Sequence, residues 1–118
     1  MKTMFRALYV GDSNGSLCDL LVQLGATVSV TETSESGIDN LKQSQYDIVL
    51  ADLCVEKAGA RGVARWVKSY SPDTKFFVVT GWQGELEKEL LKMDGIHDII
   101  RKPFIFNEIR DKIYRHLL

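Results

Sequence analysis

Four polar residues follow short apolar segments of the sequence and carry side chains that can do chemistry. They are Asp12, Asp52, Thr80 and Lys102. Two carboxylates, a hydroxyl and an ammonium group can together hold a metal ion or form an ion pair. Taken singly, Asp12 can also be a helix N-cap and Thr80 a strand-favouring residue. Asp52 is the strongest candidate, because a carboxylate in a largely apolar segment needs a partner, a metal or a cap role.

The elements that must position these residues follow from the hydrophobic periodicity, which alternates between strand and helix patterns along the whole chain. Five strands are predicted, at residues 5–10, 27–31, 46–51, 76–79 and 96–100. Each is followed by apolar residues three and four positions apart, which predicts five helices. Alternating units of this length indicate a parallel sheet with helices on both faces. The four polar residues should then meet at the carboxyl edge of the sheet, where such folds bind ligands.

Several helix details can be predicted from the same pattern. Gly25 is placed to end the first helix, and Ser34 to cap the second. The third helix is expected to bury one stripe, and the fourth is marked by leucines and a methionine. The stripe of the third helix is Val63, Trp66, Val67 and Tyr70, and the fourth helix carries Leu86, Leu90 and Met93.

Composition limits the function further. The chain has 118 residues, which fits a single domain over residues 1–118. Fifteen Lys+Arg against sixteen Asp+Glu give a formal charge of −1, which argues against direct binding of nucleic acid or of an acidic membrane. Two cysteines are too few for a disulfide framework and are read as free thiols. No apolar run is long enough to span a bilayer, so a cytoplasmic location is expected.

The four residues, their intervals and the string Lys102-Pro103-Phe104 resemble the receiver domain of two-component response regulators, the CheY-like family. The resemblance covers the whole chain. It implies an α/β fold, a flavodoxin-like (βα)5 three-layer sandwich with a parallel five-stranded sheet of order 2-1-3-4-5. It also implies a cis peptide bond before Pro103.

The resemblance assigns a role to each candidate residue. Asp52 would be the phosphoacceptor, and Lys102 and Thr80 would contact the phosphoryl group. A Mg²⁺ ion would be held by Asp12, Asp52 and the backbone carbonyl of Cys54. Such a domain is not an enzyme in the ordinary sense, although it assists its own phosphotransfer and dephosphorylation.

The same resemblance implies two kinds of partner. A histidine kinase or a histidine phosphotransfer domain would donate the phosphoryl group. An output domain or protein would bind the face formed by the fourth predicted helix, the fifth strand and the fifth helix, where Lys88, Lys92 and Arg101 are interface candidates.

Two positions depart from the family pattern and leave alternatives open. Most receivers have two acidic residues after the first strand, but the first of that pair is Gly11 here, and the usual switch aromatic is Ile99. These departures allow a second reading, a pseudo-receiver that acts as a phosphorylation-independent protein-interaction domain. A third reading, a flavodoxin-like nucleotide or flavin binder, lacks a phosphate-binding glycine loop after the first strand.

Overall fold

A computed structural model describes residues 4–11, 15–52, 59–81 and 95–117. The strands are β1 (Phe5–Val10), β2 (Ala26–Thr31), β3 (Ile48–Asp52), β4 (Lys75–Thr80) and β5 (Asp98–Arg101). The helices are α1 (Gly15–Gln23), α2 (Ser34–Gln43), α3 (Gly59–Tyr70) and α4 (Phe106–Leu117). The fourth predicted helix, on Leu86, Leu90 and Met93, lies outside the described residues. Helix α4 is therefore the fifth helix of the sequence prediction. No helix in the described ranges has the length and apolar character needed to span a membrane.

The five strands form one sheet in the order β2-β1-β3-β4-β5, and all neighbouring strands are parallel. This confirms the predicted flavodoxin-like fold. All five residues of the central strand β3 are buried, because helices cover both faces of the sheet. Burial of both faces of the sheet explains why the segments of β3 and β4 are almost entirely apolar.

Each face of the sheet has its own core cluster. The α2/α3 cluster contains the buried side chains Leu8, Val10, Val49, Ala51, Phe76, Val78 and Ile99 of the sheet, with helix residues such as Leu41 and Val63. The α1/α4 cluster contains the buried side chains Phe5, Ala7, Tyr9, Ile48, Leu50, Phe77, Val79 and Ile100, with helix residues such as Leu17 and Ile113. Successive strand residues alternate between the two clusters, as the pleat requires.

The ends of the first two helices show how local sequence sets their limits. Gly25 has a φ of +104° directly after α1, as predicted for a glycine that ends a helix. The predicted cap Ser34 is wrong by one residue. Thr33 is the N-cap of α2, since its hydroxyl accepts a hydrogen bond from the Ser36 N–H at 3.1 Å and the Ser36 hydroxyl lies 3.3 Å from the Thr33 nitrogen. Two hydroxyls three residues apart satisfy each other's backbone groups in this way.

The predicted buried stripe of α3 is correct except at its end. Val63 and Val67 are buried, and Trp66 is partly buried against the α2/α3 cluster. Tyr70 is exposed, so its predicted burial is wrong. Its ring lies in the last helical turn and packs on Trp66 with ring centroids 5.1 Å apart, outside the core.

Polar contacts fix α4 to the amino-terminal end of β5. The Asp98 carboxylate lies 3.1 Å from His116 Nε2 and 3.7 Å from Lys112 Nζ. Lys112 also donates a hydrogen bond to the backbone carbonyl of Ile99. These contacts hold the helix and the strand together at the end of β5 opposite to Lys102.

A glycine in α2 permits close packing of this helix on the sheet. A Cβ atom at Gly37 would lie 2.9 Å from Cγ2 of Val10, which is fully buried and has a stiff branched side chain. We therefore predict that Gly37→Ala lowers the free energy of unfolding by about 1–3 kcal/mol, measured by urea denaturation. Gly81→Ala is the control, because a Cβ there meets nothing within 4 Å. An equal loss in both variants would contradict the packing argument.

The ring of His97 predicts a pH dependence of stability. Burial lowers its pKa below the ordinary value of 6.5, and the positive charges of Lys75 and His116 act in the same direction. Its Nδ1 accepts the Phe76 N–H at 3.0 Å, which requires the tautomer protonated at Nε2.

Because the unfolded state binds the proton of His97 more readily, this residue destabilises the fold as the pH falls below about 6.5. The variant His97→Asn keeps an acceptor for the Phe76 N–H and does not titrate. Its unfolding free energy should therefore fall less steeply with acid than that of the wild type in parallel urea titrations. Identical slopes would show that His97 does not contribute.

Candidate functional site

An ion pair joins two of the predicted site residues at the carboxyl edge of the sheet. Asp52 is the last residue of β3, and Lys102 follows β5. Lys102 Nζ lies 3.0 Å from Asp52 Oδ2, although 50 residues separate the two in sequence. The Asp52 side chain is 12% exposed and that of Lys102 is 41% exposed, so a nearly buried carboxylate meets a cation that reaches in from the surface. A charge this deep needs such compensation.

The backbone fixes the start of the Lys102 side chain. The Lys102 N–H donates to the Thr80 carbonyl oxygen at 2.9 Å, which continues the pairing of β4 and β5 beyond Arg101. The peptide bond between Lys102 and Pro103 is cis, as the family resemblance implied.

Thr80 ends β4 at the same edge. Asp52 is the register partner of Val79, so Thr80 lies one residue further toward the carboxyl end. Its side chain is buried. Through its carbonyl oxygen, Thr80 therefore holds the backbone of Lys102 beside Asp52.

Tyr9 is a site residue that the sequence interpretation missed. It lies in β1, is fully buried, and its hydroxyl donates a hydrogen bond to Asp52 Oδ2 at 3.4 Å. The only sequence signal was a tyrosine inside a buried apolar strand, because a buried phenol needs a polar partner. Which partner it takes depends on the pairing between strands, which one segment of sequence does not reveal.

The structure explains why position 11 is a glycine. Its φ is +149°, and a Cβ atom there would lie 2.8 Å from Cβ of Asp52 and 3.4 Å from the Tyr9 hydroxyl oxygen. The position therefore has no room for the acidic side chain that most receivers carry. The positions of Tyr9 and Asp52 thus explain why a glycine replaces the usual acidic residue at position 11.

The structure places one of the three expected magnesium ligands. Asp52 offers a carboxylate at the edge of the sheet, and carboxylate oxygens suit Mg²⁺. Asp12 and Cys54 lie outside the described residues. Within the described ranges, no group of three or more His, Cys, Asp or Glu residues could hold a metal ion. The carboxylate of Asp52 therefore suits the ion, and the other protein ligands would come from residues outside the described ranges.

The proposed switch and interface residues are also partly placed. Ile99 is fully buried in the α2/α3 cluster, so its side chain already lies in the core. Arg101 is exposed at the end of β5. Lys88 and Lys92 lie outside the described residues.

A groove of about 650 Å³ opens beside Lys102. Its walls include Ser16 and Leu20 from α1 and Lys102 and Phe104 from the segment after β5. The groove thus brings solvent, and any molecule that enters it, to the exposed side of Lys102.

The close approach at Gly11 yields a prediction. Gly11→Ala forces a Cβ against Asp52 and adopts a φ that L-residues disfavour, so we expect a loss of about 2 kcal/mol or more in unfolding free energy. Thermal and urea unfolding measure this loss. Gly81→Ala is the control at the same edge, since its Cβ would enter open space. A Gly11→Ala protein as stable as the wild type would contradict the geometry at Asp52.

Comparison with known proteins finds curated relatives of this chain. The chain is 29% identical over 122 residues to the transcription factor SKN7 of Saccharomyces cerevisiae, covering 99% of this chain and 19% of that protein. It spans about a fifth of the length of the curated relatives it matches.

Two solved structures show the same fold. The chemotaxis response regulator CheY4 of Vibrio cholerae superposes with a TM-score of 0.84 at 19% identity, covering 98% of this chain and 100% of that one. The receiver domain of a sensor histidine kinase from Pseudomonas aeruginosa, with magnesium coordinated in its active-site cleft, gives 0.83 at 19% identity and 98% coverage of both chains. The family model of the response regulator receiver domain matches residues 14–114 of this chain. The chain therefore belongs to the response regulator receiver family, the signalling domains of two-component systems.

Proposed function

We propose that residues 1–118 form one receiver domain that accepts a phosphoryl group on Asp52 and thereby changes its binding to partners. The observation that carries the proposal is the 3.0 Å contact between Lys102 Nζ and Asp52 Oδ2 at the open edge of the sheet. It provides a nucleophilic carboxylate and a positive charge in one place. The donor is the phosphohistidine of a histidine kinase or of a histidine phosphotransfer domain.

The chemistry requires a negative carboxylate to approach a negative phosphoryl group. A lone pair of Asp52 forms the new P–O bond, while the P–N bond of the donor breaks and its electron pair leaves with the imidazole. The Lys102 ammonium offsets the repulsion and can move onto a phosphoryl oxygen after transfer. Thr80 is proposed to donate its hydroxyl to another phosphoryl oxygen. These groups are the means by which the domain assists its own phosphorylation.

We further propose that the reaction requires Mg²⁺. Asp52, Asp12 and the backbone carbonyl of Cys54 would hold the ion, which supplies positive charge to the phosphoryl oxygens. Two findings support this part of the proposal: the carboxylate of Asp52 at the sheet edge, and the magnesium in the cleft of the Pseudomonas relative.

Two surfaces are proposed to meet the partners. The groove beside Lys102 is suited to a donor, since the partly exposed side chain of Lys102 lines it. The output partner would bind the face of β5, α4 and the predicted helix at residues 86–93. On that face, a second groove of about 320 Å³ is lined by both basic and acidic groups, among them Arg101 and Asp111. A partner with complementary charges of both signs fits such a surface.

The buried Ile99 bears on how the switch would work. Its side chain has no hydroxyl and already lies in the core, so rotation of an aromatic ring at this position cannot report on Thr80. Backbone shifts around β4 and β5 would carry the signal instead. We place the domain in the cytoplasm, because phosphohistidine donors are formed there from ATP.

The first test is the intact mass of the protein after incubation with Mg²⁺ and acetyl phosphate. We predict a gain of about 80 Da, the mass of one phosphoryl group, and its loss when EDTA replaces Mg²⁺. Asp52→Asn should abolish the gain, since the amide cannot act as the nucleophile. Lys102→Gln should slow the gain by about tenfold or more, because one positive charge at the phosphoryl group is lost.

The matched control is Asp39→Asn, which removes an exposed carboxylate on α2. It should be phosphorylated as the wild type is. A mass gain that persists in Asp52→Asn would contradict the assignment of the acceptor. No gain in the wild type, with any donor, would favour the alternative function, a phosphorylation-independent interaction domain whose departures at Gly11 and Ile99 have removed the switch.

A further inference from the structure

We propose that Tyr9 is a positioning residue for the acceptor carboxylate and that it shortens the lifetime of the acyl phosphate. This inference rests on the proposed phosphorylation of Asp52. It concerns a hydroxyl that approaches the carboxylate from inside the protein, on the side opposite to solvent.

The register of the sheet brings Tyr9 under Asp52. Tyr9 in β1 pairs with Leu50 in β3, and both side chains belong to the α1/α4 cluster. Asp52 is the next residue of β3 on the same face, because side chains alternate along a strand. The Tyr9 ring, fully buried, extends from the pairing position toward the carboxyl edge, where its hydroxyl lies 3.4 Å from Asp52 Oδ2.

Two donors thus meet at one carboxylate oxygen. The Tyr9 hydroxyl and the Lys102 ammonium both point to Oδ2, at 3.4 and 3.0 Å. A carboxylate oxygen has two lone pairs in the plane of the group, and two donors engage both of them. In the proposed reaction, a lone pair of Oδ1 forms the bond to phosphorus, and Oδ2 becomes the carbonyl oxygen of the acyl phosphate.

Gly11 makes this arrangement possible. A Cβ atom at position 11 would lie 3.4 Å from the Tyr9 hydroxyl oxygen and 2.8 Å from Cβ of Asp52. A side chain there would compete with the phenol for the space beside the carboxylate. The Tyr9 hydroxyl thus borders the space that a side chain at position 11 would enter.

The effect on the lifetime follows from charge. In hydrolysis, water forms a bond to phosphorus, the bond from phosphorus to Oδ1 breaks, its electron pair returns to the carboxylate, and the proton of the water passes to solvent. A hydrogen bond to a charged carboxylate is stronger than one to a neutral carbonyl oxygen. The Tyr9 hydroxyl therefore stabilises the released carboxylate more than it stabilises the acyl phosphate. Part of this stabilisation is already present in the transition state, so the hydroxyl speeds hydrolysis and shortens the lifetime of the acyl phosphate.

The variant Tyr9→Phe removes the hydroxyl and keeps the ring. We predict that its acyl phosphate lives about three- to tenfold longer than that of the wild type, followed by intact mass after removal of the donor. Tyr46→Phe is the matched control, since Tyr46 is a second buried tyrosine that lies before β3, at the opposite end from Asp52. Its lifetime should equal that of the wild type.

The direction of the change separates positioning from packing. If Tyr9 only filled the core, its truncation would loosen the site, admit water and shorten the lifetime or leave it unchanged, and either result would overturn the proposal. A second measurement needs no phosphorylation. In protein labelled with ¹³C at the Asp carboxyl groups, the signal assigned by Asp52→Asn should move in Tyr9→Phe and stay in place in Tyr46→Phe.

This second measurement separates the two possible failures. A moved Asp52 signal in a protein that never gains mass would contradict the proposed phosphorylation while supporting the contact between Tyr9 and Asp52. A phosphorylated wild type with an unmoved signal would overturn the role of Tyr9 and leave the proposed function standing.

Discussion

The site depends on one electrostatic constraint, which is that a carboxylate at the end of a buried strand must be compensated. Asp52 closes a strand in which every residue is buried, and its own side chain is only 12% exposed. Leaving that charge without partners costs several kcal/mol. The Lys102 ammonium and the Tyr9 hydroxyl compensate it at the same oxygen, one from the solvent side and one from the core.

The fold supplies those partners because parallel strands bring their carboxyl ends to one edge. β1 contributes Tyr9, with Gly11 directly after the strand, β3 contributes Asp52, and the segment after β5 contributes Lys102. The hydrogen bond from the Lys102 N–H to the Thr80 carbonyl ties that segment to β4. For the proposed phosphorylation, a carboxylate held in this way would be ordered before a phosphoryl donor arrives, and folding would prepare the geometry of attack.

Much of this could be predicted from the sequence, and the exceptions have physical causes. The strands, their parallel arrangement and the placing of Asp52, Thr80 and Lys102 at one edge follow from periodicity and from the rule for ligand sites in such sheets. The sheet order 2-1-3-4-5 came from the resemblance to the receiver family. The contact of Tyr9 could not be predicted, since it depends on register between strands. The reason for a glycine at position 11 could not be predicted either, because it depends on how close a Cβ atom there would come to Asp52 and Tyr9. The exposure of Tyr70 follows from where α3 ends, which periodicity locates only approximately.

The proposed phosphorylation of Asp52 can be tested at the level of the single residue. Borohydride reduces an aspartyl phosphate to homoserine, and peptide mass spectrometry then identifies the modified position. After treatment with Mg²⁺ and acetyl phosphate, we expect homoserine at position 52. Homoserine at a different aspartate, or a phosphorylated protein with unmodified Asp52, would contradict it.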